Sequence, residues 1–401
     1  MFQPRANRSS SQHYGNETLT YHAHNVCWPK GNYGGEYLDW RHYKANGANL
    51  GSWLWKEKTH DPLLWEAQDE AAAATPDEWN LCLALGDRCG PVLEERYETF
   101  LNTSTIDKLA SVGINTLRIP TSYSAWVEVP GSALYHGNQK EHLRRIANYA
   151  IDKYNMHIIV GLHNLPGGIN PLDIGEAYGH IGWFQNQTNL DWSLKAFGEM
   201  LSFVRASGRA NSFSVSPINE AADNMQHFGT AKGLSDANTN WVLTYLDACV
   251  EMVEEADRRI PIVLQDSFKS VGYWEPLFDA SKNIVMSPHL YYFSQEELYA
   301  GYANYTMCGT AQWVGTFKKF PVMVGEWSLQ VHYNNTLDGR RALFDTQKYA
   351  YSHYSNGGTF WTAVSYAKAK VDGEGTQRDY WSYVDLIDAG VATKKIERSY
   401  C

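Results

Sequence analysis

The 401-residue chain is predicted to be an α/β protein, a single (β/α)8 barrel behind an irregular arm over residues 1–45. Three observations carry this reading. Eight short apolar runs, rich in β-branched residues and bounded by Gly, Pro or Asn, recur at 48–54, 116–120, 158–162, 214–218, 260–265, 284–288, 321–325 and 358–364. Amphipathic stretches of helical length, such as 141–154, 192–206 and 240–258, lie between them. Each run ends in polar or aromatic residues, as the C-terminal face of such a barrel requires.

Taken in order, the arm is polar and Gly-rich, and the barrel domain is expected over residues 46–401. The first run, in NLGSWL, leads through Trp53 to Glu57. The second, TLRIP, contains Arg118, and the third ends in His163-Asn164. The fourth, SVSPI, delivers Asn219-Glu220. The fifth gives Gln265-Asp266 and then Phe268, and the sixth gives His289 and Tyr291. The seventh leads into Glu326-Trp327, and the eighth carries Trp361. A doubly wound open sheet is the competing fold. It is disfavoured because no G-x-G-x-x-G turn follows the first run.

Composition narrows the function. A formal net charge of −10 argues against a nucleic-acid partner, since phosphate binding wants clustered Lys and Arg. No apolar stretch is long enough to span a membrane. The 15 Trp and 26 Tyr supply faces for stacking on sugars as well as a large aromatic core. Six cysteines without a C-x-x-C pair make a structural zinc site unlikely, and His22, His24 and Cys27 are weak ligand candidates. No metal or cofactor is expected. Sequons at Asn7, Asn16, Asn102, Asn186, Asn304 and Asn334 fit a secreted glycoprotein whose signal peptide has been removed. A monomer is expected.

Glu220 and Glu326, at the ends of two runs, form the pair that glycoside hydrolysis needs. One carboxyl must be protonated to donate to the leaving oxygen, and the other ionised to attack the anomeric carbon. Like charges about 5 Å apart push their pKa values apart, so one site holds both states. Arg118 would keep one of them ionised, and the Asn219 amide would grip a sugar hydroxyl. Taken singly, the two acids read equally well as exposed residues at helix starts. His163 and His289 read as satisfied core histidines, Arg118 as the partner of a structural acid, and Trp361 as plain core.

The ordered set NLGSWL with Glu57, GINTLRIP, GLHNLPGG, INEA, HLYYF, VGEWS and FW at 360–361 resembles glycoside hydrolase family 5. DEWNLCLALG and YETFL are similar to the fungal exo-β-1,3-glucanase branch and its rutinosidase-type relatives, which release a disaccharide from flavonoid glycosides. The resemblance covers roughly residues 46 to 401 and implies a retaining double displacement without metal. It makes Glu220 the acid/base, Glu326 the nucleophile and Asn219 the amide beside the acid. Arg118, His163, His289, Tyr291 and Trp361 become the shell of the sugar at the cleavage point. Glu57 and Asp173 become pocket acids for its hydroxyls. Phe268 resembles one of two aromatic faces clamping the leaving group, and Cys308 and Cys401 resemble a pair tethering the C-terminus. A local Cys82–Cys89 bridge is a weaker expectation. Ala221 stands where the family has Pro, a change outside the chemistry that relaxes the loop. Two other departures bear on specificity. Leu172 replaces a clamp Phe and Ile174 an Asn. Lys56 and Lys58 flank Glu57. The expected activity is that of a secreted, exo-acting β-glucoside hydrolase, most like an exo-β-1,3-glucanase. A rutinosidase-type diglycosidase is the alternative, and an inactive carbohydrate-binding barrel the reading outside enzymology.

Overall fold

In a computed structural model, residues 35–294 and 297–401 are described. Most of the expected arm, with His22, His24, Cys27, Asn7 and Asn16, lies outside them. Seven parallel strands form one sheet: β1 (Ala45–Asn49), β2 (Thr116–Thr121), β3 (His157–Leu162), β4 (Phe213–Ser216), β5 (Ile262–Gln265), β6 (Ile284–Ser287) and β7 (Gly357–Phe360). Their order is β6-β5-β4-β3-β2-β1-β7. The seventh predicted run, 321–325, is not a regular strand. It bridges both sheet edges, Met286 to Val322 and Val324 to Gly358, and so closes a (β/α)8 barrel. Pro321 has no N–H to donate, which shortens any ladder there.

Helices cover the outside: α1 (Thr103–Ser111), α2 (Gln139–Tyr154), α3 (Gln187–Ala206), α4 (Asp236–Asp257), α5 (Ala300–Val314), α6 (Arg340–Tyr354) and the short α7 (Gln377–Trp381). Both α3 and α4 begin four or five residues before their apolar pattern does. Asn186 and Ser235 cap them, accepting from the N–H groups of Asn189 and Asn238. Asn102 caps α1 in the same way. Two of the six sequons are therefore helix caps, and a third, Asn304, is 9% exposed inside α5.

The strands obey period-two alternation. Ile158, Val160, Ile262, Leu264, Ile284, Met286, Val322 and Val324 belong to the large core that includes the helices. Their alternates Ile159, Val263, Val285 and Met323 form a separate cluster with Ala45 inside the barrel. Trp40 plugs this cluster, its indole N–H donating to Ser214 Oγ at 3.1 Å. Burying each large aliphatic chain contributes about 1.5–3 kcal/mol. Strand β1 begins earlier than the sequence suggests, because Ala45 to Gly47 carry little hydrophobic signal. Gly47 is needed there: a Cβ would lie 2.4 Å from Thr359 Cγ2. The pairs Cys308–Cys401 and Cys82–Cys89 are both disulfide-bonded.

Candidate active site

The inward alternation holds Arg118 inside β2 and, continued one residue past β3, brings His163 to the barrel mouth. Glu326 arrives differently. Val324 and Trp327 both face the helices, Trp327 lying against Phe344 and Tyr351 of α6. They are three residues apart, so the alternation breaks between them and turns Glu326 inward. Gly325 permits this: a Cβ would fall 2.2 Å from Ser287 Oγ and 2.9 Å from His289 Nε2. Glu220 has φ +45°, the left-handed region, in the turn that follows β4 beyond Pro217-Ile218-Asn219. Its N–H is held by Gln265 Oε1 at 3.1 Å, and its carbonyl by Asn170 Nδ2 at 3.1 Å. Neither acid starts a helix, and they are only 5% and 4% exposed. The surface-residue reading of both is thus excluded.

One carboxylate oxygen of each, with a nitrogen of His289, lies within 4.8 Å of the others. Glu326 accepts from Arg118 at 2.6 Å on Oε1 and from the Tyr291 hydroxyl at 2.7 Å on Oε2. Arg118 also donates to Asn49 Oδ1 (2.9 Å) and Asn219 Oδ1 (2.8 Å). Among the described residues, only Oε1 of Glu220 has a hydrogen-bond partner, His289 Nδ1 at 2.7 Å. Burial pushes the Glu220 carboxyl up to about 7, with Arg118 pulling the other way. Burial likewise pushes the His289 imidazole down to about 3, leaving it neutral. Glu220, His289 and Glu326 have the spacing of a cation site. Both Glu326 oxygens are already engaged, however, and the guanidinium on one of them repels a cation.

These groups surround a cavity of about 620 Å³ at the C-terminal mouth. Of the sequence candidates, Glu57, His163, Asp173, Glu220, Phe268, His289, Tyr291, Glu326 and Trp361 line it. Arg118 and Asn219 are not among its lining residues; Arg118 reaches Glu326 and holds the Asn219 amide oxygen, which leaves Asn219 Nδ2 unpaired. His163 stacks on Trp361 at 5.4 Å and 8°. Four fully occluded polar atoms here have no protein partner: Glu57 Oε1, His163 Nδ1, Asn219 Nδ2 and His289 Nε2. An unpaired buried polar group costs about 1–3 kcal/mol, so these atoms are open to hydrogen bonds from a polar ligand or water. Burial, with Asp173, Glu326 and Glu220 nearby, holds the Glu57 carboxyl well above its usual range. Burial raises Asp173 to about 6.

Several contributors escaped the sequence reading. His60 orients Trp361, accepting its indole N–H at 3.0 Å on Nε2, while its Nδ1 meets Ser365 Oγ at 2.9 Å. Asn49 fixes Arg118; an amide inside an apolar run was the available signal. Phe228 meets Phe268 edge to face at 5.4 Å, and both line the cavity together with Leu172. Lys56 is wholly buried, paired with Asp61 at 2.7 Å, and belongs to the framework under Glu57 rather than to the pocket. Glu176 secures the 166–177 loop through the Tyr123 hydroxyl at 2.5 Å and Gly167 N–H at 3.0 Å.

Residues 93–366 match the family described as Cellulase (glycosyl hydrolase family 5). The chain belongs to glycosyl hydrolase family 5. Within it, a solved rutinosidase from Aspergillus niger superposes with a TM-score of 0.86 at 45% identity, covering 89% of this chain and all of that one. The chain is also 28% identical over 289 residues to a probable glucan 1,3-beta-glucosidase A of Neosartorya fischeri, covering 71% of this chain and 65% of the relative. Glucan 1,3-beta-glucosidase 1 of Schizosaccharomyces pombe is 26% identical over 257 residues, covering 63% and 60%. The matched part thus spans under two thirds of these curated relatives, but the full length of the rutinosidase structure.

Proposed function

We propose that this family 5 protein is a retaining β-glycosidase with Glu220 as acid/base and Glu326 as nucleophile. The observation that carries the reading is the approach of the two carboxyls to within 4.8 Å. Retaining enzymes hold their acids about 5–5.5 Å apart, whereas inverting ones leave about 6.5–9.5 Å for a water. Neutral Glu220 protonates the glycosidic oxygen while Glu326 attacks the anomeric carbon. The C–O bond to the leaving group breaks as the bond to Glu326 forms. Glu220, now ionised, takes a proton from water, whose oxygen displaces Glu326 and restores the β configuration. Asn219 and the pocket acids Glu57 and Asp173 hold the sugar hydroxyls, and Trp361 lies under its ring.

For the substrate, the likeness to the rutinosidase favours release of a disaccharide from an aromatic glycoside. This reverses the order expected from sequence, where the exo-β-1,3-glucanase came first. The glucan reading keeps its support from the named glucosidase relatives and from the Phe228–Phe268 pair beside the acid. Two disulfides support secretion, and the protein is taken to act as a monomer. Incubation with rutin, laminarin and p-nitrophenyl β-glucoside, followed by product chromatography, tests this. Free disaccharide from rutin without glucose from laminarin is expected. Glucose from laminarin with rutin untouched overturns the diglycosidase reading.

A further inference from the structure

Two consecutive acids, Asp77 and Glu78, are buried at the start of the short helix Glu78–Leu85, only 0% and 1% exposed, and neither lines the cavity. Capping that helix takes one oxygen of Asp77. Its Oδ1 accepts from the N–H and the side-chain amide of Asn80, both at 2.8 Å. Its Oδ2 accepts the N–H of Tyr178, 101 residues away, at 3.0 Å. Glu78 Oε2 accepts the N–H of Lys56 at 2.6 Å, while Oε1 is occluded and has no partner among the described residues. Burial pushes this carboxyl up to about 7, with Lys56 pulling the other way.

Both long-range bonds end beside a pocket acid. Lys56 precedes Glu57, and its ammonium is held by Asp61 at 2.7 Å and by the Ser52 carbonyl at 2.5 Å. The Glu57 N–H donates to Ser52 Oγ at 3.1 Å. Tyr178 follows the turn Asp173–Gly175, and the Gly179 N–H donates to the Pro171 carbonyl at 2.9 Å, closing the loop around Asp173. Asp77 grips that closed loop from outside, and after burial its charge is the largest influence raising Asp173. The donors are backbone N–H groups in both cases, so the two acids fix the course of the main chain. One short helix thus holds two loops that are far apart in sequence, one carboxyl to each.

We infer that Asp77 and Glu78 are positioning residues, which hold the loops carrying Glu57 and Asp173 at a fixed separation and so set how tightly the sugar at the cleavage point is gripped. The inference rests on the reading of Glu57 and Asp173 as holders of sugar hydroxyls. Neither positioning acid bonds to Glu220 or Glu326, so its loss weakens binding and spares the chemical step.

The two acids differ in a way that supplies the test. Asp77 uses both oxygens, so Asp77→Asn keeps the cap, for which Asn serves as well as Asp, and loses the Tyr178 bond. Glu78 uses one oxygen, so Glu78→Gln keeps the Lys56 bond and Glu78→Leu loses it. The measurements are kcat and KM on p-nitrophenyl β-glucoside, with hydrogen exchange of the Lys56 and Tyr178 amides, for these variants, Asp173→Asn and the parent. Loss of one buried hydrogen bond should raise KM about three- to tenfold in Asp77→Asn, with kcat within about twofold of the parent. Exchange at Tyr178 should quicken. Glu78→Leu should act alike through Lys56, and Glu78→Gln should match the parent. Parent-like KM and exchange in Asp77→Asn, a fall in kcat at unchanged KM, or equal losses in Glu78→Gln and Glu78→Leu overturn the positioning role. If Asp173→Asn raises KM and Asp77→Asn does not, the positioning role alone falls. A parent-like KM in Asp173→Asn overturns the pocket-acid reading and the inference with it. An inactive parent overturns the retaining reading, and the exchange rates then decide whether the two acids hold the loops.

Discussion

The two carboxyls facing each other across the cavity have opposite surroundings. Glu326 has a donor on each oxygen, one of them the guanidinium of Arg118 at 2.6 Å. Glu220 has a single partner, an imidazole that burial keeps neutral, and its own carboxyl is raised to about 7. Both are almost fully buried, so burial alone does not separate them. The difference is a cation on one side and its absence on the other. It teaches that one barrel mouth gives two identical side chains different surroundings through their partners, Arg118 from β2 and His289 and Tyr291 from the segment after β6.

Removing the member paired with Arg118 should have the largest effect. Glu326→Gln is expected to lower kcat on p-nitrophenyl β-glucoside by at least about 10⁴-fold, with an unchanged circular dichroism spectrum. Parent-like turnover by the folded variant breaks the comparison at its centre. The neutral member should show a dependence on the leaving group. Glu220→Gln is expected to lose about 10²–10⁴-fold on an alkyl glucoside. It should lose far less in the glycosylation step of an activated aryl one, read by the pre-steady-state burst of nitrophenol. A uniform loss would remove the acid role.

The cation itself can be deleted. Arg118→Met strands a buried carboxylate and breaks its link to Asn49 and Asn219. The expected cost is about 3–5 kcal/mol in urea unfolding, together with loss of turnover. His289→Asn, which removes only a neutral partner, should cost less than Arg118→Met in the same titration; the reverse order would erase the asymmetry. The smallest effect concerns pH. In the proposed role Glu220 donates only while protonated, and its raised carboxyl loses the proton as pH climbs through about 7. Log kcat/KM should therefore fall with rising pH above about 7, by roughly tenfold at one unit beyond it. A flat profile to pH 9 would show that the proton comes from elsewhere.

Much of this was legible in one dimension. Alternating apolar runs and amphipathic stretches identify the barrel because buried parallel strands and the helices covering them leave different periodicities. Polar residues directly after those runs identify His163, Asn219, Glu220, His289 and Glu326, and a charge inside one run identifies Arg118, because a barrel presents all its strand ends at one face. Other features were not. The closing segment near Val322 looks like an ordinary strand, yet forms only isolated bridges. Asn186 reads as a sequon and serves as a helix cap. His60, in WKEKTH, looks like part of a polar loop, and only its indole contact from Trp361, 301 residues away, gives it a task.

The sequence by itself determined the fold and the two acids, since both follow from local pattern and from position relative to a strand. Tertiary structure alone decided which acid receives the cation, which aromatic faces Phe268, and which backbone N–H groups the Asp77 and Glu78 carboxyls hold. Those outcomes depend on distances between residues from separate loops. Local sequence constrains the path of each loop, whereas closure of the barrel sets what the loops meet.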